Sequence, residues 1–112
     1  MEKKEYPPFS VAMSVYKSDD PCHFREALDS VFSQSLPADE VHLTVDGPVS
    51  DELNAIIEEY KNRYETLTVD RLEVNIGLGN VLRRAMEKCK YDLIFRMDIY
   101  ICQCEHSEIH LL

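Results

Sequence analysis

The sequence predicts an α/β domain, a mostly parallel sheet with helices on both faces and strand order 3-2-1-4. Three observations carry this expectation. Short apolar runs alternate with stretches of helical periodicity, giving the order βαβαβαβ. Candidate caps and turn residues punctuate each change of period. The last apolar run, Leu93-Ile94-Phe95, leads through Arg96-Met97 to a carboxylate, Asp98. Parallel strands need right-handed crossovers, and open sheets of this kind bind ligands beyond the carboxyl ends of their strands, at the switch point. In the order 3-2-1-4 that point lies between strands one and four. Tyr16 and Asp98 would flank it, with Asp46 one strand further out.

The elements follow in order. Residues 1–8 are a polar lead-in closed by Pro7-Pro8, which favour an extended entry. The first strand covers 9–16. Asp20 is a good N-cap, and Pro21 suits the first helical position, where its missing donor does no harm. Phe24, Ala27, Leu28, Val31 and Phe32 recur at helical spacing, and the helix stops near Ser35-Leu36-Pro37. The second strand, 41–45, ends on Asp46-Gly47-Pro48, and its alternation predicts one covered and one partly open face. Ser50 caps the second helix, with Asp51 and Glu52 complementing its dipole and Leu53, Ile56, Ile57, Tyr60 and Tyr64 as its inner stripe. A third strand lies at 67–69, reaching toward Leu72. The loop Asn75-Ile76-Gly77-Leu78-Gly79 leads into a third helix, 80–88, with Val81, Leu82, Ala85, Met86 and Cys89 inward and Arg83 and Arg84 solvated. The fourth strand is 93–98, buried on both faces, and its outer edge is expected to lack a partner and to invite self-association.

Composition narrows the function. The chain has 112 residues and a formal charge of −9, which argues against nucleic acid, whose recognition needs a basic footprint. An anionic small ligand would need a cation or aligned backbone amides. The N-terminus shows no signal-peptide pattern and no stretch approaches the ~20 apolar residues of a membrane span. Four cysteines at 22, 89, 102 and 104 lack a regular framework, as expected of free thiols in a reducing, cytoplasmic setting.

Five pieces, in order over residues 9–98, resemble the N-terminal, nucleotide-binding half of inverting family 2 glycosyltransferases. They are the opening strand Ser10-Val11-Ala12-Met13-Ser14-Val15-Tyr16, the helix Ala27-Leu28-Asp29-Ser30-Val31-Phe32-Ser33-Gln34, the turn Val45-Asp46-Gly47, the loop Asn75-Ile76-Gly77-Leu78 and the run Phe95-Arg96-Met97-Asp98. The resemblance implies the Rossmann-like, A-type glycosyltransferase fold in three αβα layers. It implies a nucleotide-diphospho-sugar donor, a UDP-sugar foremost, and a saccharide or lipid-linked acceptor of cell-surface polysaccharide synthesis at the cytosolic membrane face. Tyr16 and Lys17 would line the base pocket, Asp46 would bind the base, Asn75 would lie near the nucleotide, and Asp98 would match the first carboxylate of the D-x-D region. That carboxylate would contact ribose and hold Mg²⁺ or Mn²⁺, a hard cation suited to oxygen ligands and to a diphosphate leaving group.

The pattern breaks after Asp98. No second aspartate follows, and the nearest later acid is Glu105. Residues 99–112 are therefore expected to be an atypical tail, arising from a shifted reading frame, and the general base to belong to a missing C-terminal half. The alternative to an active transferase is a truncated, catalytically inactive nucleotide-sugar-binding remnant. Two other readings fail on spacing. Gly77-Leu78-Gly79-Asn80-Val81-Leu82 ends in leucine and follows the third strand, so the dinucleotide fingerprint is not met. Cys102-Gln103-Cys104 is tighter than zinc-knuckle spacing, even with His106 and His110 nearby.

Overall fold

The computed structural model describes residues 7–99 and 109–111. Its elements are β1 (Phe9–Val15), α1 (Pro21–Ser33), β2 (Glu40–Val45), α2 (Asp51–Arg63), β3 (Leu67–Arg71), α3 (Leu78–Lys88), β4 (Leu93–Met97) and β5 (Ile109–Leu111). The sheet runs β3-β2-β1-β4-β5. The first four strands are mutually parallel, with Val11 facing both Val41 and Phe95 and Val41 facing Leu67. This is the expected 3-2-1-4 order with one strand added.

Local chemistry fixes the helix starts. The Asp20 carboxylate accepts from the amides of Cys22 and His23, and Pro21 occupies the first turn of α1. The Ser50 hydroxyl accepts from Leu53 N at the head of α2. Strand parity then sorts side chains into two layers. Val11, Met13, Val15, Val41, Leu43 and Val45 face α1 and α2, where Phe24, Leu28, Ile57 and Tyr60 complete the main core. On the other face, α3 packs through Val81 and Ala85, and Ala85 meets Ala12 and Ile94.

Several expectations are corrected here. Every residue of β2 is buried, so neither of its faces is open. It lies between β1 and β3, with α1 and α2 on one side and α3 on the other. Helix α3 begins at Leu78, two residues early, and Met86 is 53% exposed instead of inward. The α3 contact is narrow because it rests on alanines, so only one edge of the helix is covered. Arg84 is not merely solvated, for its guanidinium makes two hydrogen bonds to Asp70 on β3. β4 is only partly covered, with Ile94 and Met97 buried and Leu93, Phe95 and Arg96 intermediate. Its outer edge is not unpaired: β5 joins it antiparallel, with Phe95 facing Leu111 and Met97 facing Ile109. The outer edge of β4 is thus covered over Phe95–Met97, which narrows the basis for self-association there. Of the expected tail, Cys102, Cys104, Glu105 and His106 lie outside the described residues.

The α3-facing side of the sheet is unusually polar. Ser10 donates to the buried Glu40 carboxylate, which also accepts from Lys90 N. His42 is 2% exposed, and among the described residues neither ring nitrogen has a hydrogen-bond partner. Its Nε2 lies 3.9 Å from Asp70. Burial pushes the imidazole below its ordinary pKa of 6.5, against the pull of Asp70 and Glu40 and with help from Lys88 and Arg84. The unfolded chain therefore takes up this proton more readily. Stability from His42 is whole above the unfolded value and is lost as pH falls toward the depressed folded one. Thermal melts between about pH 7.5 and 5.5 are expected to show falling Tm, at most about 1.4 kcal/mol per pH unit, and His42→Gln to flatten that slope. An unchanged slope in the variant would assign the dependence to other groups.

Candidate functional site

Beyond the carboxyl ends of β1 and β4 lies a cleft of about 540 Å³, bordered by Ser14, Tyr16, Asp19, Asp46, Arg96 and Asp98. The topology explains it. β1 turns away into α1 on one sheet face, and the β3–α3 loop rises on the other, so the chain parts between them.

Tyr16 is the first residue past β1 and is 43% exposed. Its amide donates to the Asp19 carboxylate, and its carbonyl accepts from Asp19 N, closing a tight turn. Burial raises the Asp19 pKa and the Tyr16 amide opposes that rise. The turn leaves the Tyr16 ring at the cleft border, open for stacking.

Asp46 is buried at 6% exposure. One carboxylate oxygen accepts from Ile76 N at 2.8 Å and the other from Gly77 N at 3.2 Å. The Asn75 side chain returns the tie by donating to Asp46 O. Gly47, next in sequence, has φ +90°, and a Cβ there would stand 2.9 Å from Asn75 N. Only glycine meets both demands. The two loops are thus bound into one rim. Asp46 holds that rim through hydrogen bonds, and a carboxylate oxygen keeps further acceptor capacity for a ligand.

Asp98 follows β4 directly. Arg96 Nε and one terminal nitrogen each donate to a different Asp98 oxygen, both at 2.8 Å, in a bidentate ion pair. Residues two apart in extended chain share a face, which brings the pair together.

Tyr16, Asp46 and Asp98 therefore come together as the topology required, and Asn75 borders the same cleft, tied to Asp46. Lys17 does not: it is exposed in the turn after β1 and lies off the cleft lining. Asp19 and Arg96 were missed as site residues. The first had a turn signal in Ser18-Asp19-Asp20-Pro21, and the second had the strand period. Cys89 is no candidate nucleophile, since burial and the nearby Glu40 push its thiol up to about 11.

An acidic cleft at the switch point of a parallel α/β sheet has the form of a ligand-binding domain. The sequence profile of Glycosyl transferase family 2 matches residues 10–99, and the chain belongs to that family. It is 39% identical over 92 residues to the UDP-Gal:alpha-D-GlcNAc-diphosphoundecaprenol beta-1,3-galactosyltransferase of Escherichia coli, covering 82% of this chain and 33% of that enzyme. It is 39% identical over 101 residues to the amylovoran biosynthesis glycosyltransferase AmsE of Erwinia amylovora, covering 89% and 38%. The chain thus spans little more than a third of these relatives. Among solved structures, the mannosyltransferase PcManGT of Pyrobaculum calidifontis, in complex with GDP-Man and Mn²⁺, superposes with a TM-score of 0.72 at 19% identity, over 85% of this chain and 28% of that one. That likeness establishes the A-type glycosyltransferase fold.

Among the described residues, no three metal-ligating side chains form a cluster. A hard cation such as Mg²⁺ is commonly held by one or two carboxylates together with substrate phosphates and water. The rim offers one suitable group, Asp98, once it leaves Arg96, and in that limited sense the residues fit a cation brought with a diphosphate.

Proposed function

We propose that this chain binds the nucleotide-diphospho-sugar donor of an inverting glycosyltransferase, with a UDP-sugar as donor and a saccharide or lipid-linked acceptor in cell-surface polysaccharide synthesis, on the cytosolic side of the membrane. The observation that supports it best is the convergence of Tyr16, Asp46 and Asp98 on one cleft at the β1/β4 switch point. The names of the relatives support the donor and acceptor classes, since one uses UDP-Gal and a diphosphoundecaprenol-linked sugar and another serves amylovoran synthesis.

In this reading residues 9–98 carry the donor-binding site, which the family match over 10–99 favours, and β5, from the stretch after it, adds an edge strand to the same sheet. Tyr16 stacks on the base and Asp46 accepts from its edge while holding the rim loops in register. Asn75 borders the nucleotide while fixing Asp46, and Lys17 contributes charge from outside the lining. Asp98 meets the ribose and is the residue that would hold Mg²⁺ or Mn²⁺. When bound, such a cation offsets the charge that grows on the departing diphosphate.

The three cleft carboxylates are already engaged. Asp19 holds the Tyr16 amide, Asp46 holds two amides and Asp98 holds Arg96. Each thus has a holding role within the rim, which favours the second reading, donor binding without turnover by these residues. Calorimetric titration with UDP-galactose, with and without Mn²⁺, tests both. Saturable binding strengthened by Mn²⁺ with no release of UDP is the expected result. Tighter binding of NAD than of UDP would overturn the glycosyltransferase reading.

A further inference from the structure

We propose that Arg96 is a diphosphate-binding residue of this cleft, and that donor binding exchanges its ion pair with Asp98 for one with phosphate. The inference rests on the reading of the cleft as a nucleoside-diphosphate site and adds a residue to it.

Charge gives the first reason. The charged side chains bordering the cleft are Asp19, Asp46, Asp98 and Arg96, so among the described lining residues one cation faces three carboxylates. The whole chain carries −9. A diphosphate entering this cleft is repelled unless a cation meets it, and Arg96 is the cation on its path. Placement gives the second. Arg96 pairs with Ala12 across the β1–β4 ladder, so it projects from the α3-facing side of the sheet, the side that carries Ser14 at the same rim. Geometry gives the third. The guanidinium fork that now takes both Asp98 oxygens at 2.8 Å also matches two phosphate oxygens.

Arg96 and Asp98 keep 32% and 24% of their side-chain surface exposed, so the pair is part-buried yet borders the cleft, where an entering phosphate can reach the fork. A phosphate competes for the same fork with greater charge. Once displaced, Asp98 regains both oxygens, and it is then the carboxylate able to hold a divalent cation beside the diphosphate. The two ligands become coupled through one ion pair, each favouring the state that suits the other.

Calorimetry on the full chain tests this with uridine, which lacks phosphate, and with UDP, in EDTA and in Mn²⁺. Arg96→Gln is expected to weaken UDP by about tenfold and to leave uridine unchanged, because only the charge-assisted bonds are removed. Arg96→Lys, which keeps the charge and loses the fork, is expected to fall between. Asp98→Asn removes one negative charge from the fork and from the cleft, so it should strengthen UDP in EDTA by about threefold and abolish the gain from Mn²⁺. Thermal melts of each variant establish that it is folded. Equal UDP affinity in wild type and folded Arg96→Gln overturns the proposal, and so does a parallel loss of uridine and UDP, which marks a structural role. If wild type binds neither ligand, the nucleotide reading itself fails, and this inference with it.

Discussion

Asp46→Ala is expected to lose about 1–3 kcal/mol of stability, because two backbone amides in a part-buried rim then lack their acceptor. The amides are those of Ile76 and Gly77, and each now meets a separate carboxylate oxygen. The loop they belong to also packs closely on Gly47, through the backbone of Val74 and Asn75. Asp46→Asn keeps one oxygen as acceptor and should lose about half as much. Urea unfolding at neutral pH measures both. The same variants should bind UDP at least about tenfold more weakly, since a base-binding acceptor and a positioned loop are lost together. A loss below about 1 kcal/mol for the alanine variant would mean that water or a neighbouring group replaces the carboxylate.

Phe24→Ala is expected to cost about 3–5 kcal/mol, the range for deleting a fully buried aromatic ring. Phe24 has no exposed surface and stands in the main core between α1 and the sheet. Domains of this kind are stable by about 5–15 kcal/mol, so the variant would lose a large part of its margin. Met86→Ala is the matched control. Its side chain is mostly outside, and the change should stay within about 0.5 kcal/mol. Paired urea curves decide the matter, and a Met86 effect as large as that of Phe24 would contradict the placement of α3.

The contrast between these two residues shows what the sequence made legible. Phe24 sits in a stripe with Ala27, Leu28 and Val31, and all four are buried. Met86 looked equivalent on paper, beside Ala85 and Cys89. Periodicity says which face is apolar but not how wide a face the neighbouring layer covers, and α3 rests on the small side chains of Ala12 and Ala85. The covered second face of β2 was hidden for a related reason. His42 and Thr44 are polar, so their alternation reads as solvent, while α3 shuts them in. The parallel sheet, by contrast, followed from the alternation of elements, and its order from taking that sheet as doubly wound.

The site divides in the same way. Tyr16, Asp46 and Asp98 were found because strand ends are given by period and topology by handedness. The grip of Asp46 on Ile76 and Gly77 was not legible, since it joins loops thirty residues apart through backbone amides that no residue name reveals. The Arg84–Asp70 pair, between β3 and α3, was hidden likewise by its distance in sequence. Arg96 was within reach, two positions before Asp98 on a strand, and only the face rule was needed to join them.

The sheet order also sets a schedule. β1 is the first strand made and lies inside the sheet, with Val11 between Val41 and Phe95. Its pairing with β2 can form early, but its other side stays open until the stretch around Phe95 has emerged, almost at the end of the described chain. During synthesis the apolar Val11-Ala12-Met13 segment therefore presents a waiting edge, and long-range parallel pairing is slow to close. The cleft between β1 and β4 consequently comes into being only after β4 has been made and has paired with β1.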